Sequence, residues 1–288
     1  MAKLVFIHGR GQRKKNHEKL RQQWITALNS GLTACNLTMP EGTEIALPFY
    51  GIELDQLRKD YVPGQLQTRG EDLAVDAPLY LDLLTELAEN AGVTQDEIQR
   101  HMDPELIARG LKSNALTRAL GKALDNKFTG DFSLNIITRD VFDYLTKPAI
   151  TQVINKLVLH EVGTTPCVVV GHSLGSVIGY NILAEYADEL DVQSYVTVGS
   201  PLGLRAMGTH IFSPITMPEC IRDRWFNAYD RKDVVALKPL IKNYFDIEPE
   251  PFDYGLVNNS YDDHHGIEGY LGDPAVAQEI YDQLKKLG

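Results

Sequence analysis

Residues 167–180 read CVVVGHSLGSVIGY. The run CVVV is continuously apolar, the pattern of a strand buried on both faces. Gly171, Ser173 and Gly175 then punctuate the chain, and Val177, Ile178 and Tyr180 resume at helical spacing. One strand–turn–helix unit leaves the fold class open, and a second at the start of the chain decides it. KLVFIH (3–8) is another short apolar run, closed by Gly9, Arg10 and Gly11, and helical spacing follows over 17–31 through Leu20, Trp24, Ile25 and Leu28, with Gly31 as the expected stop. TEIALPFYG (43–51) reads as the next strand. Strand, helix, strand in that order predicts a parallel sheet.

The segment 52–165 interrupts the alternation, since it holds no convincing strand. Helices are expected at 72–91, at 94–110 (entered by a Thr94–Glu97 capping box), near 113–126, and at 138–160 with a break at Pro148. Strand and helix then alternate again: CVVVGH, a helix over 174–189, strands at 194–201, 224–230 and 254–260, and a closing helix at 273–287. The expected fold is α/β, one domain over 1–288 with a doubly wound, mostly parallel sheet. A largely helical insertion at about 52–137 is expected to be an ordered cap, because structureless loops of that length are rare.

Composition narrows the function. The 288 residues are 43% hydrophobic and 23% charged, ordinary for a globular chain that buries about three quarters of its unfolded surface. A net charge of −11 argues against nucleic-acid binding. The basic stretches KLRQQW and GRGQRKK read as a solvated helix entry. Three cysteines without a CxxC pair predict neither a disulfide framework nor a zinc knuckle, and Cys167 reads as a small core residue. No signal peptide and no membrane-spanning run is expected, which makes a cytoplasmic chain the default.

GHSLG (171–175) matches Gly-x-Ser-x-Gly, and the flanking strand and helix are the context that gives the pattern meaning. In that context Ser173 is presented on a sharp turn as a candidate nucleophile. A serine needs a base, and the base needs an orienting acid. The order required is serine, then an acid after a later strand, then a histidine near the end. RWFNAYDRKDVVALKPL offers Asp230 and Asp233, and NNSYDDHHGIEGYL offers His264 and His265. The run Asp262, Asp263, His264, His265 makes a poor metal site, because consecutive side chains do not converge on one point.

FIHGRGQ, LPFYG, DVFDYL, VVVGHSLGSVIGY, VGSPLG, WFNAYDRKDVVA and HHGIEGYL together resemble the α/β-hydrolases, in particular lipase-like serine esterases including the GPI inositol-deacylase-like branch. The resemblance spans most of the chain outside 52–135. It implies Ser173 as nucleophile, Asp233 as acid, His265 as base, and the Arg10 and Leu174 amides as oxyanion donors, with Asp230 and His264 as the alternates. It implies His8 as a prop for the oxyanion loop, and His172 is expected to pack or hydrogen-bond beneath the turn. No cofactor and no metal is implied. The expected substrate is a small-molecule or lipid ester, with peripheral membrane contact compatible. A thioesterase or amidase would use the same residues, and a scaffold that only binds a ligand or protein partner is the alternative of another class.

Overall fold

The computed structural model describes residues 2–9, 16–51, 78–127, 133–259 and 263–288. Among the described residues six strands form one sheet: β1 (Lys3–Ile7), β2 (Glu44–Ala46), β3 (Cys167–His172), β4 (Val192–Val198), β5 (Ile221–Asp230) and β6 (Phe252–Val257). Their order is β2-β1-β3-β4-β5-β6 and every pairing is parallel. The chain is therefore α/β, and the inner strands β1 and β3 are apolar and buried along nearly their whole length, while the edge strands β2 and β6 are partly exposed.

Side chains alternate between the faces with the two-residue period of a strand. Leu4, Phe6, Val168, Val170, Val196 and Val198 pack on one side with Trp24 and Leu28 of α1 (His17–Ala34) and Ile280 and Leu284 of the closing helix (Pro274–Lys285). Val5, Ile7 and Val169 face the other way, against helices Pro148–Val162 and Leu174–Glu185. Helices thus cover both faces. Counted along the chain, the helices after α1 are α2 (Pro78–Asn90), α3 (Gln95–His101), α4 (Pro104–Ala108), α5 (Lys112–Lys127), α6 (Leu134–Thr146), α7 (Pro148–Val162), α8 (Leu174–Glu185), α9 (Ile267–Gly272) and α10 (Pro274–Lys285).

Several local expectations are refined. Gly31 does not stop α1. A Cβ there would lie 2.6 Å from the Leu271 carbonyl oxygen and 2.7 Å from Ala277 Cβ, so this glycine lets α1 press against α9 and α10. The expected helix at 94–110 is two short ones. The Thr94–Glu97 capping box opens the first, and Asp103 caps the second with Pro104 in its first turn, where the missing N–H costs nothing. The break at Pro148 separates α6 from α7. Between β2 and β3 every element in the described residues is a helix.

The helical segment shares the core of the sheet. Leu83, Leu84 and Leu87 of α2, with Leu124, Val141 and Tyr144, belong to the same buried cluster as Ile7, Val169 and Leu174. Polar clamps add direction. The Glu86 carboxylate accepts the Arg205 N–H at 3.1 Å and the Ala206 N–H at 3.2 Å, and the Asn90 amide donates to the Val234 carbonyl at 3.0 Å. Both contacts lie on loops leaving the carboxyl ends of β4 and β5.

β1 has β2 on one side and β3 on the other, so the winding direction reverses between β1 and β3. In open α/β sheets the crevice outside the carboxyl ends at such a reversal is the habitual ligand site. His8 and Gly9 leave β1 there, and Ser173 leaves β3.

Candidate active site

Ser173 has φ 55° and ψ −128°, a backbone conformation that L-residues avoid at a cost on the order of 1–3 kcal/mol. Its surroundings impose it. The Ser173 N–H donates to the Val198 carbonyl at 3.2 Å, and the Ser176 hydroxyl donates to the Ser173 carbonyl at 2.6 Å. A Cβ at Gly171 would sit 2.8 Å from the Gly175 carbonyl oxygen, and one at Gly175 would sit 1.9 Å from that of Ile7. The glycines are what allow α8 to start this close to β3 and β1.

Ser173 occupies the N-cap position of α8, where a serine side chain normally accepts an amide N–H of the first turn. Here it makes no capping bond. Its Oγ, on a residue only 2% exposed, has no hydrogen-bond partner among the described residues. The hydroxyl is therefore not spent on helix capping. The first-turn amides of α8, beginning with Leu174, favour negative charge beside it.

The two loops in which the sequence suggested an acid and a base bring Asp233 and His265 together. Asp233 lies in the turn after β5, its N–H bonded to the Asp230 carbonyl at 3.0 Å. Its Oδ1 accepts the Val235 N–H at 3.0 Å, and its Oδ2 lies 2.7 Å from Nδ1 of His265. Both residues are buried. The aspartate oxygen is the acceptor in this pair, so Nδ1 carries the proton and Nε2 is the basic nitrogen of His265.

His265 is also tied to the residue preceding Ser173. Nε2 of His172 donates to the His265 carbonyl at 2.8 Å, and the two ring centroids are 4.8 Å apart. Burial, and secondarily the facing His265 ring, hold the His172 imidazole well below its ordinary range. It stays neutral and packs beneath the turn beside Trp24 and Tyr270.

Asp230 and His264 form a separate pair, with His264 Nδ1 3.1 Å from Asp230 Oδ2. Asp230 also accepts the Lys232 N–H at 2.8 Å and the Asn259 N–H at 2.9 Å, so it is bonded as a turn acid that closes two loops. Its partner His264 is about one-third exposed. The adjacent histidines thus face different aspartates, and Asp263 accepts the His265 N–H at 3.0 Å. The run at 263–265 does not converge on one point. Asp262 lies outside the described residues, and among those described no group of three His, Cys, Asp or Glu is placed to hold a metal.

Arg10 lies outside the described residues. Its neighbour Gly9 is described, and a Cβ there would fall 2.6 Å from Ser173 Cβ and 3.0 Å from the Leu174 nitrogen. The end of β1 therefore lies directly against the turn. His8 is fully buried and stacks on Tyr50 at 4.0 Å, and the Tyr50 hydroxyl donates to the His8 carbonyl.

Sequence reasoning missed three contributors. The Asn259 amide donates to the His264 and Gly266 carbonyls at 3.1 and 3.0 Å, gripping the loop that carries His265. Tyr270 donates to Asp233 Oδ2 at 2.6 Å. Gly199, at φ 57°, leaves room where a Cβ would meet Tyr270 at 3.0 Å and both Asp233 and His172 at 3.3 Å. The Gly-Tyr in GIEGYL was the one available hint. Among the described residues no helix is long and apolar enough to cross a membrane. No protein-family model matches the chain, and no curated protein matches it.

Proposed function

We propose that the chain is a serine hydrolase of α/β-hydrolase type that cleaves a carboxylic ester through an acyl-enzyme. The observation that carries this reading is the strained, uncapped Ser173 together with a buried His265–Asp233 pair at 2.7 Å, which His172, the residue before the serine, ties to the turn through the His265 carbonyl at 2.8 Å. Strain of that kind at a turn has no structural return of its own. It presents a hydroxyl at the reversal point of the sheet, where a ligand would lie.

In this mechanism His265 Nε2 takes the Ser173 proton as Oγ attacks the ester carbonyl carbon. Asp233 keeps Nδ1 protonated and stabilises the imidazolium that forms. The Leu174 N–H, and by resemblance the Arg10 N–H, receive the oxyanion, each worth about 3 kcal/mol in comparable sites. His265 then protonates the departing alcohol, and water attacks the acyl-enzyme by the same route in reverse. No step calls on a cofactor.

The insertion expected at about 52–137, of which 52–77 and 128–132 lie outside the described residues, acts as a cap in this reading. Support comes from α2, which Glu86 and Asn90 fasten to loops on the sheet's carboxyl side. The substrate is a small-molecule or lipid ester. The three free thiols, Cys35, Cys167 and Cys220, suit a reducing compartment such as the cytoplasm.

A fluorophosphonate probe tests the assignment. It should label the wild-type protein and leave Ser173→Ala unlabelled, and p-nitrophenyl esters of rising chain length should then show which acyl group is turned over. Undiminished labelling of Ser173→Ala removes Ser173 from the role, and a native protein that neither labels nor turns over ester is a binding scaffold.

A further inference from the structure

We propose that Tyr270 is a positioning residue that sets the proton affinity of His265 through Asp233. The direction of its hydrogen bonds is fixed by chemistry. The Tyr270 oxygen lies 3.1 Å from the Asp230 backbone nitrogen and 2.6 Å from Asp233 Oδ2. A backbone N–H can only donate, so the phenol accepts there, and its single proton goes to Asp233. Oδ2 therefore receives both the phenolic O–H and the His265 Nδ1–H, while Oδ1 receives the Val235 N–H.

Tyr270 is fully buried on α9, five residues beyond His265. Burial first, and then the facing Asp233 carboxylate, push its phenol well above the ordinary range, so it remains a donor at any working pH. Gly199 supplies the space: a side chain there would strike the tyrosine ring, the Asp233 oxygen and the His172 ring together.

Two donors on one carboxylate oxygen compete. With the phenol bonded, Asp233 is a weaker acceptor for the Nδ1 proton and gives less support to the imidazolium. Removing the phenol returns that electron density to His265, which then holds a proton more tightly. The other titratable groups around the pair are Asp230 at the end of β5, Asp263 and His264 on the His265 loop, His172 at the end of β3, and His8 at the end of β1. Each is common to the proteins compared below.

The test is an NMR titration of the ring Cε1 proton of His265, assigned through His265→Gln. In Tyr270→Phe the His265 pKa should rise by about half to one unit, the shift that one net hydrogen bond commands. That variant also strips the Asp230 N–H of its acceptor and is expected to be less stable. 3-Fluorotyrosine at position 270 keeps both bonds and donates more strongly, so it should lower the His265 pKa and decides the matter if the Phe variant does not fold. An unchanged His265 pKa in the folded variants overturns the proposal, since a tyrosine that only fills space would move it in neither direction. The kinetic half rests on the hydrolase reading: the acid limb of kcat/KM for a p-nitrophenyl ester should move with the NMR value, to higher pH in Tyr270→Phe and to lower pH in the 3-fluorotyrosine protein, with KM unchanged. Opposite NMR shifts in the two variants without any ester turnover uphold the Tyr270 coupling and defeat the hydrolase reading alone.

Discussion

Gly175→Ala is the sharpest test of how the turn at Ser173 is built. The new methyl would stand 1.9 Å from the Ile7 carbonyl oxygen, 2.6 Å from the Ile7 carbonyl carbon and 2.9 Å from the His8 carbonyl oxygen. All three are backbone atoms, so no side chain can swing aside. Ordinary contact begins near 3.4 Å, and the end of β1 must separate from the start of α8 by about 1.5 Å. Overpacking of this kind costs about 1–3 kcal/mol, and for a chain of this size each kcal/mol lowers Tm by about 2–4 °C. The larger effect falls on chemistry. β1 carries the loop that meets Ser173 and α8 carries the Leu174 amide, and a displacement near 1 Å in a reacting geometry costs on the order of 100-fold in rate. Gly272→Ala is the control, because a Cβ there first meets an atom at 3.9 Å. Calorimetry and the rate of fluorophosphonate labelling should both fall in Gly175→Ala and neither in Gly272→Ala. Wild-type Tm and labelling rate in Gly175→Ala would refute the close packing of β1 against the turn.

Asp233→Asn should lower ester turnover by about 10⁴-fold, the loss seen when a triad acid is amidated, whereas Asp230→Asn should retain most activity and lose thermal stability; the reverse pattern assigns the acid to Asp230. Because the folded state holds His172 neutral, the unfolded chain takes up a proton near pH 6.5 that the folded chain refuses, so stability should fall as pH drops below that value, by at most about 1.4 kcal/mol per pH unit. Asp253 and Asp273, raised by burial, act with the opposite sign at more acidic pH, where protonation favours the fold. Denaturant melts between about pH 6.5 and 5 should therefore show a flatter slope in His172→Gln, and equal slopes would contradict the neutral His172. Glu86→Ala should strand the Arg205 and Ala206 amides at about 1–3 kcal/mol each; an unchanged urea midpoint would mean the clamp between α2 and the β4 loop carries no weight.

Much of this arrangement is legible in the sequence because it follows from local pattern. A two-sided apolar run ended by glycine marks β1 and β3, and the order of Ser173, Asp233 and His265 follows from topology. What is not legible depends on distances that only the folded chain creates. α9 is hidden because GIEGYLG breaks helical composition with glycine, and the reason appears only in three dimensions: a Cβ at Gly269 would overlap the Asn259 amide oxygen at 1.3 Å. Gly31 looks like a stop in one dimension and is a contact point in three. Asn259 and Tyr270 act on residues in neighbouring loops, and no spacing rule links either to Asp230 or Asp233. Residues 224–236 alone do not separate Asp230 from Asp233. The resemblance ordered them, and the structure gives each a different histidine.

The pairing of β1 with β3, Leu4 beside Val168 and Ile7 beside Gly171, has a consequence for biosynthesis. β1 leaves the ribosome well ahead of its inner neighbour, which follows only after the whole helical segment has been translated. At about 5–20 residues per second, that delay is on the order of ten to thirty seconds. Throughout it, Leu4, Val5, Phe6 and Ile7 have no parallel partner on that side, and a strand apolar on both faces is the kind of nascent segment that chaperones shield. Ser173 reaches its strained conformation only once β1, β3 and β4 are together, so covalent capture at that serine would mark the moment when the nascent chain has closed its sheet.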